Sequence, residues 1–256
     1  MNHWEQNSRA LTLAYAQRSS EPAAIIRFNL VARDIAEWAD AAPKKIIDIG
    51  AGFGQQSIAL ARAGHSVVLV EPSTFNIEIA REMASCETRA VQSRLSFFNC
   101  SLASLPDFPD RKFDVVCCHS VMMYIAPIGP FLKLIVRLVR DKGLVSVVGL
   151  NTTALAFRSG LTGDWAVALD LMRGTRLAPS VTADRAAHSL EDISDGFHQL
   201  GVETLRVKGL CVFSDHLKSL DESCLDTVME IEWLAGQQDP YKQVARLFHY
   251  MGQNCN

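Results

Sequence analysis

Three glycines within five residues, Gly50, Gly52 and Gly54, follow the apolar run KKIIDI and precede a stretch with helical spacing. Glycines placed between a strand and a helix remove the Cβ atoms that would hold a ligand away from the backbone, which makes a nucleotide-type cradle. Alone, such a turn also serves close strand–helix packing. Two carboxylates sharpen it: Asp48 stands just ahead of the first glycine, and Glu71 closes the next apolar run, SVVLV. An acidic side chain at that second position can accept both hydroxyls of a ribose. A dinucleotide fingerprint would place a third glycine at position 55, which is Gln55, and has no use for a charged Asp48. A phosphate-binding loop would need Gly-Lys-Ser/Thr, and none follows. Glycines beside a carboxylate, without phosphate-matching groups, suit a cationic ligand carrying an amino group, and S-adenosyl-L-methionine is such a ligand.

The elements that must position these residues are legible as alternation. Short β-branched or aromatic runs at 44–49, 66–70, 94–98, 113–118 and 143–149 are separated by helical spacing at Gln55–Ala63, Phe75–Ala84 and Phe131–Val139. Strands alternating with helices predict a parallel α/β sheet covered on both sides. Asp141-Lys142-Gly143 predicts a helix stop before the fifth strand. Ile25–Ala39 predicts an amphipathic helix ahead of the first strand, with residues 1–24 as a flexible or lid-like lead-in. After the fifth strand the spacing predicts helices at Thr152–Gly163, Trp165–Met172 and Ser189–Leu200, then strands at about 202–213 and 245–252 flanking a helical stretch at about 215–236. One domain over 1–256 is expected: a cover at 1–43, a cofactor-binding core at 44–150 and an acceptor-side region at 151–256.

Taken in order, Asp48 with Gly50, Gly52 and Gly54, then Glu71, then Cys100-Ser101-Leu102, then FDVVCCHSVMMYI, then a fifth strand opened by Gly143, resemble the class I methyltransferases that use S-adenosyl-L-methionine. The resemblance runs from Asp48 to about Gly149. It implies a Rossmann-like, seven-stranded, mostly parallel sheet with helices on both faces, an N-terminal helical cover and a helical insertion after strand five. It also implies cofactor contacts at Asp48, Gly50, Ala51, Gly52, Glu71, Pro72, Ser101, Leu102 and His119, with His119 at the methionine end. Met122, Met123 and Tyr124 are most simply packing residues.

A narrower resemblance covers the second half. Asn151, GDW at 163–165, RLAP at 176–179, VFSDHL at 212–217 and Pro240-Tyr241 followed by Arg246 and His249 are similar to the bacterial tRNA 5-carboxymethoxyuridine methyltransferases. That family esterifies the carboxylate of a modified wobble uridine. The chain departs from it in several places. The family's N-terminal arginine, which reaches the cofactor carboxylate, has Arg18 and Arg27 as its candidates here; Cys211 and Ser214 replace a basic residue and a histidine. The lysine-rich loop keeps only Arg173 and Arg176, and GQNCN replaces a basic tail.

A net charge of −3 and a pI near 6.2 give no global attraction to polyphosphate. A small-molecule or nucleoside acceptor is therefore expected, with tRNA possible but not favoured by charge. No run approaches a membrane span, the opening residues lack a signal-peptide layout, and the cytoplasm is the expected compartment. The seven cysteines show no metal-binding spacing and are expected reduced, with no metal. A carboxylate acceptor is ionised at neutral pH and needs no base, so the catalytic residues stay unassigned, with His119, Tyr241, Arg246 and His249 as candidates. Arg158, Arg173, Arg176, Arg246, Tyr241 and His249 are the groups available to orient an anion, and His119, His188 or His249 would serve an acceptor that must lose a proton. The leading expectation is O-methylation of a carboxylate on a small molecule or modified nucleoside. Its rivals are the tRNA reaction and a non-catalytic cofactor-binding protein.

Overall fold

A computed structural model of the chain describes residues 21–38, 42–101, 104–105, 112–174, 188–217 and 219–256. Helix α1 spans Pro22–Trp38, then β1 Lys45–Ile49, α2 Gln55–Arg62, β2 Ser66–Val70, α3 Thr74–Ser85, α4 Arg89–Gln92 and β3 Leu95–Phe98. The second half runs β4 Phe113–His119, α5 Gly129–Leu138, β5 Val139–Leu150, α6 Leu155–Leu161, α7 Trp165–Met172, α8 Leu190–His198, β6 Val202–Leu210, α9 Leu225–Ala235, α10 Tyr241–Val244 and β7 Leu247–Asn254.

The strands form one seven-stranded sheet in the order β3-β2-β1-β4-β5-β7-β6. Only β7 runs against its neighbours β5 and β6. β1 pairs in parallel with β2 and β4, so its carboxyl end, where Asp48 and the glycines lie, sits where the strand order reverses direction. Such reversals open a crevice above the strand ends, the usual ligand position in this architecture.

Both faces of the sheet are covered. On one, Ile26, Leu30, Val31 and Ile35 of α1 are at most 1% exposed and pack with Leu60, Ala61 and Trp233 against Ile46, Val115 and Val148. Burying each such aliphatic side chain stabilises the fold by roughly 1.5–3 kcal/mol, so α1 is part of the core. On the other face, Phe131, Leu132, Ile135 and Leu138 of α5 join Ile193 and Phe197 of α8 over Ile47, Val116 and Val147.

Two expectations shift. The helix stop at 141–143 is absent, because α5 ends at Leu138 and β5 begins directly at Val139. The kink falls instead inside the strand: Lys142 has φ 56°, and a Cβ on Gly143 would lie 2.8 Å from the Arg140 carbonyl oxygen. The helix expected from Thr152 begins as a 3₁₀ turn over Thr152–Ala154, with α6 only from Leu155. Among the described residues no helix is long and apolar enough to cross a membrane, and no cluster of three metal-ligating side chains occurs.

Candidate active site

The glycine turn has the conformation its composition requires: Gly50, Gly52 and Gly54 have φ of 73°, 59° and 77°. L side chains rarely adopt that region. A Cβ on Gly50 would meet Val121 Cγ2 at 2.3 Å, so this glycine lets the loop after β4 approach the loop after β1. A Cβ on Gly54 would lie 3.2 Å from Ala80 Cβ, which makes that glycine the packing point of α3. Ala51 is buried, and the Gly50 and Ala51 amides donate to the Val70 carbonyl at 2.8 and 3.1 Å.

Asp48 is 2% exposed and accepts the Ser57 hydroxyl at 2.6 Å. Burial, with the neighbouring Glu71 charge adding to it and the Ser57 bond opposing it, raises its carboxyl to about 6. Glu71 is 5% exposed and takes the Gly52 amide at 2.9 Å on Oε2, with the Ser73 amide at 3.0 Å and Asn76 Nδ2 at 3.2 Å on Oε1. Burial raises Glu71 as well, against those three donors. A carboxylate offers about four acceptor positions, so one on Oε2 stays open. Two covered acids, both raised in pKa, describe a site short of positive charge, which fits a sulfonium ligand that also carries an ammonium.

Pro72 lies beside this carboxylate, its carbonyl held by Asn99 Nδ2 at 3.2 Å. Ser101 follows β3, and its hydroxyl lies 3.0 Å from that of Ser104. Leu102, Arg18, Arg176 and the RLAP block lie outside the described residues. His119 ends β4, half-buried, with Nε2 2.9 Å from Ser146 Oγ. Burial, then the nearby His249 and Arg27, hold it well below the usual histidine range, so it is neutral at pH 7. Arg27 of α1 donates to Ser120 Oγ at 2.9 Å, which brings one of the two arginine candidates to the crevice.

The acceptor-side candidates divide. Arg246, just before β7, donates to Asp215 at 2.5 Å, and Arg158 of α6 pairs with the same carboxylate. Burial and the neighbouring Arg246 push Arg158 down to about 10. Tyr241 is 45% exposed and its ring lies 5.9 Å from that of Phe213, itself 48% exposed. His188 binds the Ile125 carbonyl through Nε2 at 2.7 Å. His249 is not available to an acceptor: it is fully buried between Ser146 and Asp34.

Several contributors escaped the sequence reading. Ser57 and Asn76 buttress the acids from helices, and helical spacing alone does not reveal that. Lys208 inside a strand and Asp34 on the apolar stripe of α1 were readable as misplaced charges, the usual sign of a buried pair.

Residues 47–147 match the family described as "Methyltransferase domain". The tRNA 5-carboxymethoxyuridine methyltransferase of Escherichia coli K12 is 24% identical over 218 residues, covering 82% of this chain and 81% of that protein. The ubiquinone biosynthesis O-methyltransferase of Azorhizobium caulinodans is 34% identical over 131 residues, 51% of this chain and 50% of that one. The magnesium protoporphyrin IX methyltransferase of Synechocystis, solved with bound SAH, superposes with a TM-score of 0.60 over 91% of this chain and 85% of that one, at 14% identity. The sheet order, the glycine turn between two covered acids and these likenesses make the chain a class I methyltransferase dependent on S-adenosyl-L-methionine.

Proposed function

We propose that the chain transfers the methyl group to a carboxylate oxygen of an acceptor that also carries a planar ring, either a small molecule or a modified nucleoside. The observation that carries this reading is the pair Arg158 and Arg246 converging on the single carboxylate of Asp215 beyond the carboxyl ends of β5 and β6. Two guanidiniums present ten N–H donors, and one carboxylate accepts about four. Donors are therefore left for a second anion. The exposed Phe213 and Tyr241 rings beside Asp215 and Arg246 offer a face on which a planar group can stack.

When bound, the cofactor supplies an electrophilic methyl on a sulfonium. The chain would hold it through Glu71, whose open position would take a ribose hydroxyl, through Asp48, which would compensate positive charge, and through Arg27, which would pair with the methionine carboxylate. Pro72, Ser101 and the backbone at Gly50, Ala51 and Gly52 would border the adenosine. Transfer requires the carboxylate oxygen about 3 Å from the methyl carbon and opposite the sulfur, so the arginines act by orientation. No proton has to be removed.

The test is transfer of a labelled methyl group to three substrates: aromatic carboxylic acids, the free 5-carboxymethoxyuridine nucleoside and tRNA bearing it. Alkali releases methanol from a methyl ester and not from an ether or amine. Alkali-labile label on any of the three is expected, and alkali-stable label alone would overturn the carboxylate reading. The likeness to the E. coli enzyme over 82% of this chain favours a second reading, the tRNA substrate, which transfer to tRNA but not to the free nucleoside would establish.

A further inference from the structure

Three successive backbone amides in the turn that carries Phe213 converge on one side chain. Glu232 of α9 is completely buried. Its Oε2 accepts the Val212 amide at 2.8 Å, and its Oε1 accepts the Phe213 and Ser214 amides at 2.9 and 2.6 Å. Successive N–H groups in a turn form a concavity that suits an anion, and here the chain fills it with its own carboxylate. Among the described residues Glu232 has these three amides as partners and no basic side chain.

The location is a costly one for an acid. Glu232 lies in the last turn of α9, where the helix dipole disfavours negative charge, and a carboxylate sealed from water needs its hydrogen bonds made within the protein. The helix that bears it is fixed to the sheet. The Gly209 amide of β6 donates to the Gly236 carbonyl at 2.8 Å, and a Cβ on Gly236 would lie 2.3 Å from the Gly209 carbonyl oxygen. Glu232 therefore links a fixed platform to the turn that follows β6.

That turn opens at Cys211 in the left-handed region, φ 57°, and reaches the surface at Phe213, 48% exposed. It carries Phe213, whose ring lies by that of Tyr241, and Asp215, on which Arg158 and Arg246 meet. The Arg246 amide also donates to the Cys211 carbonyl at 3.3 Å, so the segment bearing one arginine is tied to the start of the same turn. A shift of the three amides shifts the Asp215 backbone, and with it the point at which both guanidiniums are gathered.

We propose that Glu232 is a positioning residue for the acceptor site: by holding the amides of Val212, Phe213 and Ser214 it sets where Phe213 and Asp215 stand and, through Asp215, the aim of Arg158 and Arg246. This inference rests on the acceptor site proposed above and adds the residue that fixes its shape.

Kinetics test it, with whichever of the aromatic acids, the free nucleoside or the tRNA accepts the label as the probe. Glu232→Gln keeps the volume but has one acceptor oxygen, so at least one of the amides faces an N–H instead. KM for the acceptor should rise about tenfold, while S-adenosylhomocysteine binds as it does to the parent chain by calorimetry. Loss of folded protein alone lowers the apparent kcat and leaves KM where it was. An unchanged KM, or equal losses for acceptor and S-adenosylhomocysteine, would therefore overturn the proposal. Added to Arg246→Ala, Glu232→Gln should raise KM by less than about twofold more, because both act on one cluster. A further rise of about tenfold would show that Glu232 acts elsewhere, and would overturn the proposal too. If the glutamine variant does not fold, Glu232→Asp, which retains both oxygens and withdraws them by one methylene, takes its place in every comparison. An Arg246→Ala chain whose acceptor KM matches the parent, or no transfer to any of the three probes, would instead defeat the acceptor site itself, and the inference with it.

Discussion

Asp48→Asn should make the ligand-free protein more stable while weakening its hold on the cofactor. The carboxyl is 2% exposed, and burial with the Glu71 charge raises it from 3.8 to about 6. A folded value above the unfolded one means that this contribution to stability is fully present in acid and is lost as pH rises through about 6. At ~1.4 kcal/mol per pH unit, the ionised carboxylate costs the folded state about 3 kcal/mol near pH 8. Asparagine keeps the shape and can still accept the Ser57 hydroxyl through its amide oxygen, so most of that cost disappears. For a chain of this size the gain corresponds to a rise in melting temperature of about 6–12 °C. The same linkage halves the difference near pH 5, to about 1.6 kcal/mol. Thermal unfolding of both proteins without ligand, between about pH 5 and 8, reads the effect directly. A variant that melts below the parent at every pH, or a difference that ignores pH, would refute the reasoning. Calorimetry should meanwhile show weaker binding of S-adenosylmethionine to the variant, since the site has lost a compensating charge.

Glu71→Ala should weaken cofactor binding by about 1.5–3 kcal/mol, the usual worth of hydrogen bonds to a charged group; unchanged calorimetric affinity would remove Glu71 from the site. Arg246→Ala should raise KM for an anionic acceptor about tenfold or more while leaving cofactor affinity alone, because it deletes a charge-assisted contact to one substrate only. Steady-state kinetics with each substrate varied in turn checks it, and equal effects on both would place Arg246 elsewhere. Lys208→Met should destabilise the protein by about 3–5 kcal/mol, since it leaves the covered Asp34 short of a counterion. Denaturant unfolding measures this, and a loss below about 1 kcal/mol would show that Arg206, 3.3 Å from the same carboxylate, suffices.

The cofactor half was readable because its determinants are local. Asp48, the glycines and Glu71 keep fixed distances along the chain, and parallel strands buried on both faces announce themselves as continuous apolar runs such as SVVLV. Geometry added what spacing could not: Gly50 serves the approach of Val121, and Gly54 the packing of Ala80, so those glycines shape protein contacts as well as a cradle. His249 was misplaced among the acceptor groups for a related reason. Its neighbours Arg246 and Tyr241 lie at the proposed acceptor end, but β7 is buried on both faces, and its alternation puts His249 with Leu247 and Met251 on the side packed against α1. Its partners, Asp34 and Ser146, come from elements far apart in the chain, and only sheet order brings them together. The Arg158–Asp215–Arg246 cluster was half legible: both arginines were candidates, whereas the carboxylate that gathers them was seen only as part of VFSDHL.

Helix α1 supplies Arg27 to the crevice and Asp34 to the buried cluster with His249 and Lys208, and both lie upstream of the stretch matched as a methyltransferase domain. That stretch is therefore not a portable cassette. A chain begun at Lys44 would strand Lys208 inside the protein and bare the aliphatic floor under Ile26 and Leu30. Grafting a foreign acceptor half behind β5 would likewise separate Ser146 from His249 and Lys208. On the proposed acceptor site, specificity would be retuned by exchanging side chains such as Arg158, Phe213 or Tyr241 rather than by transplanting whole segments.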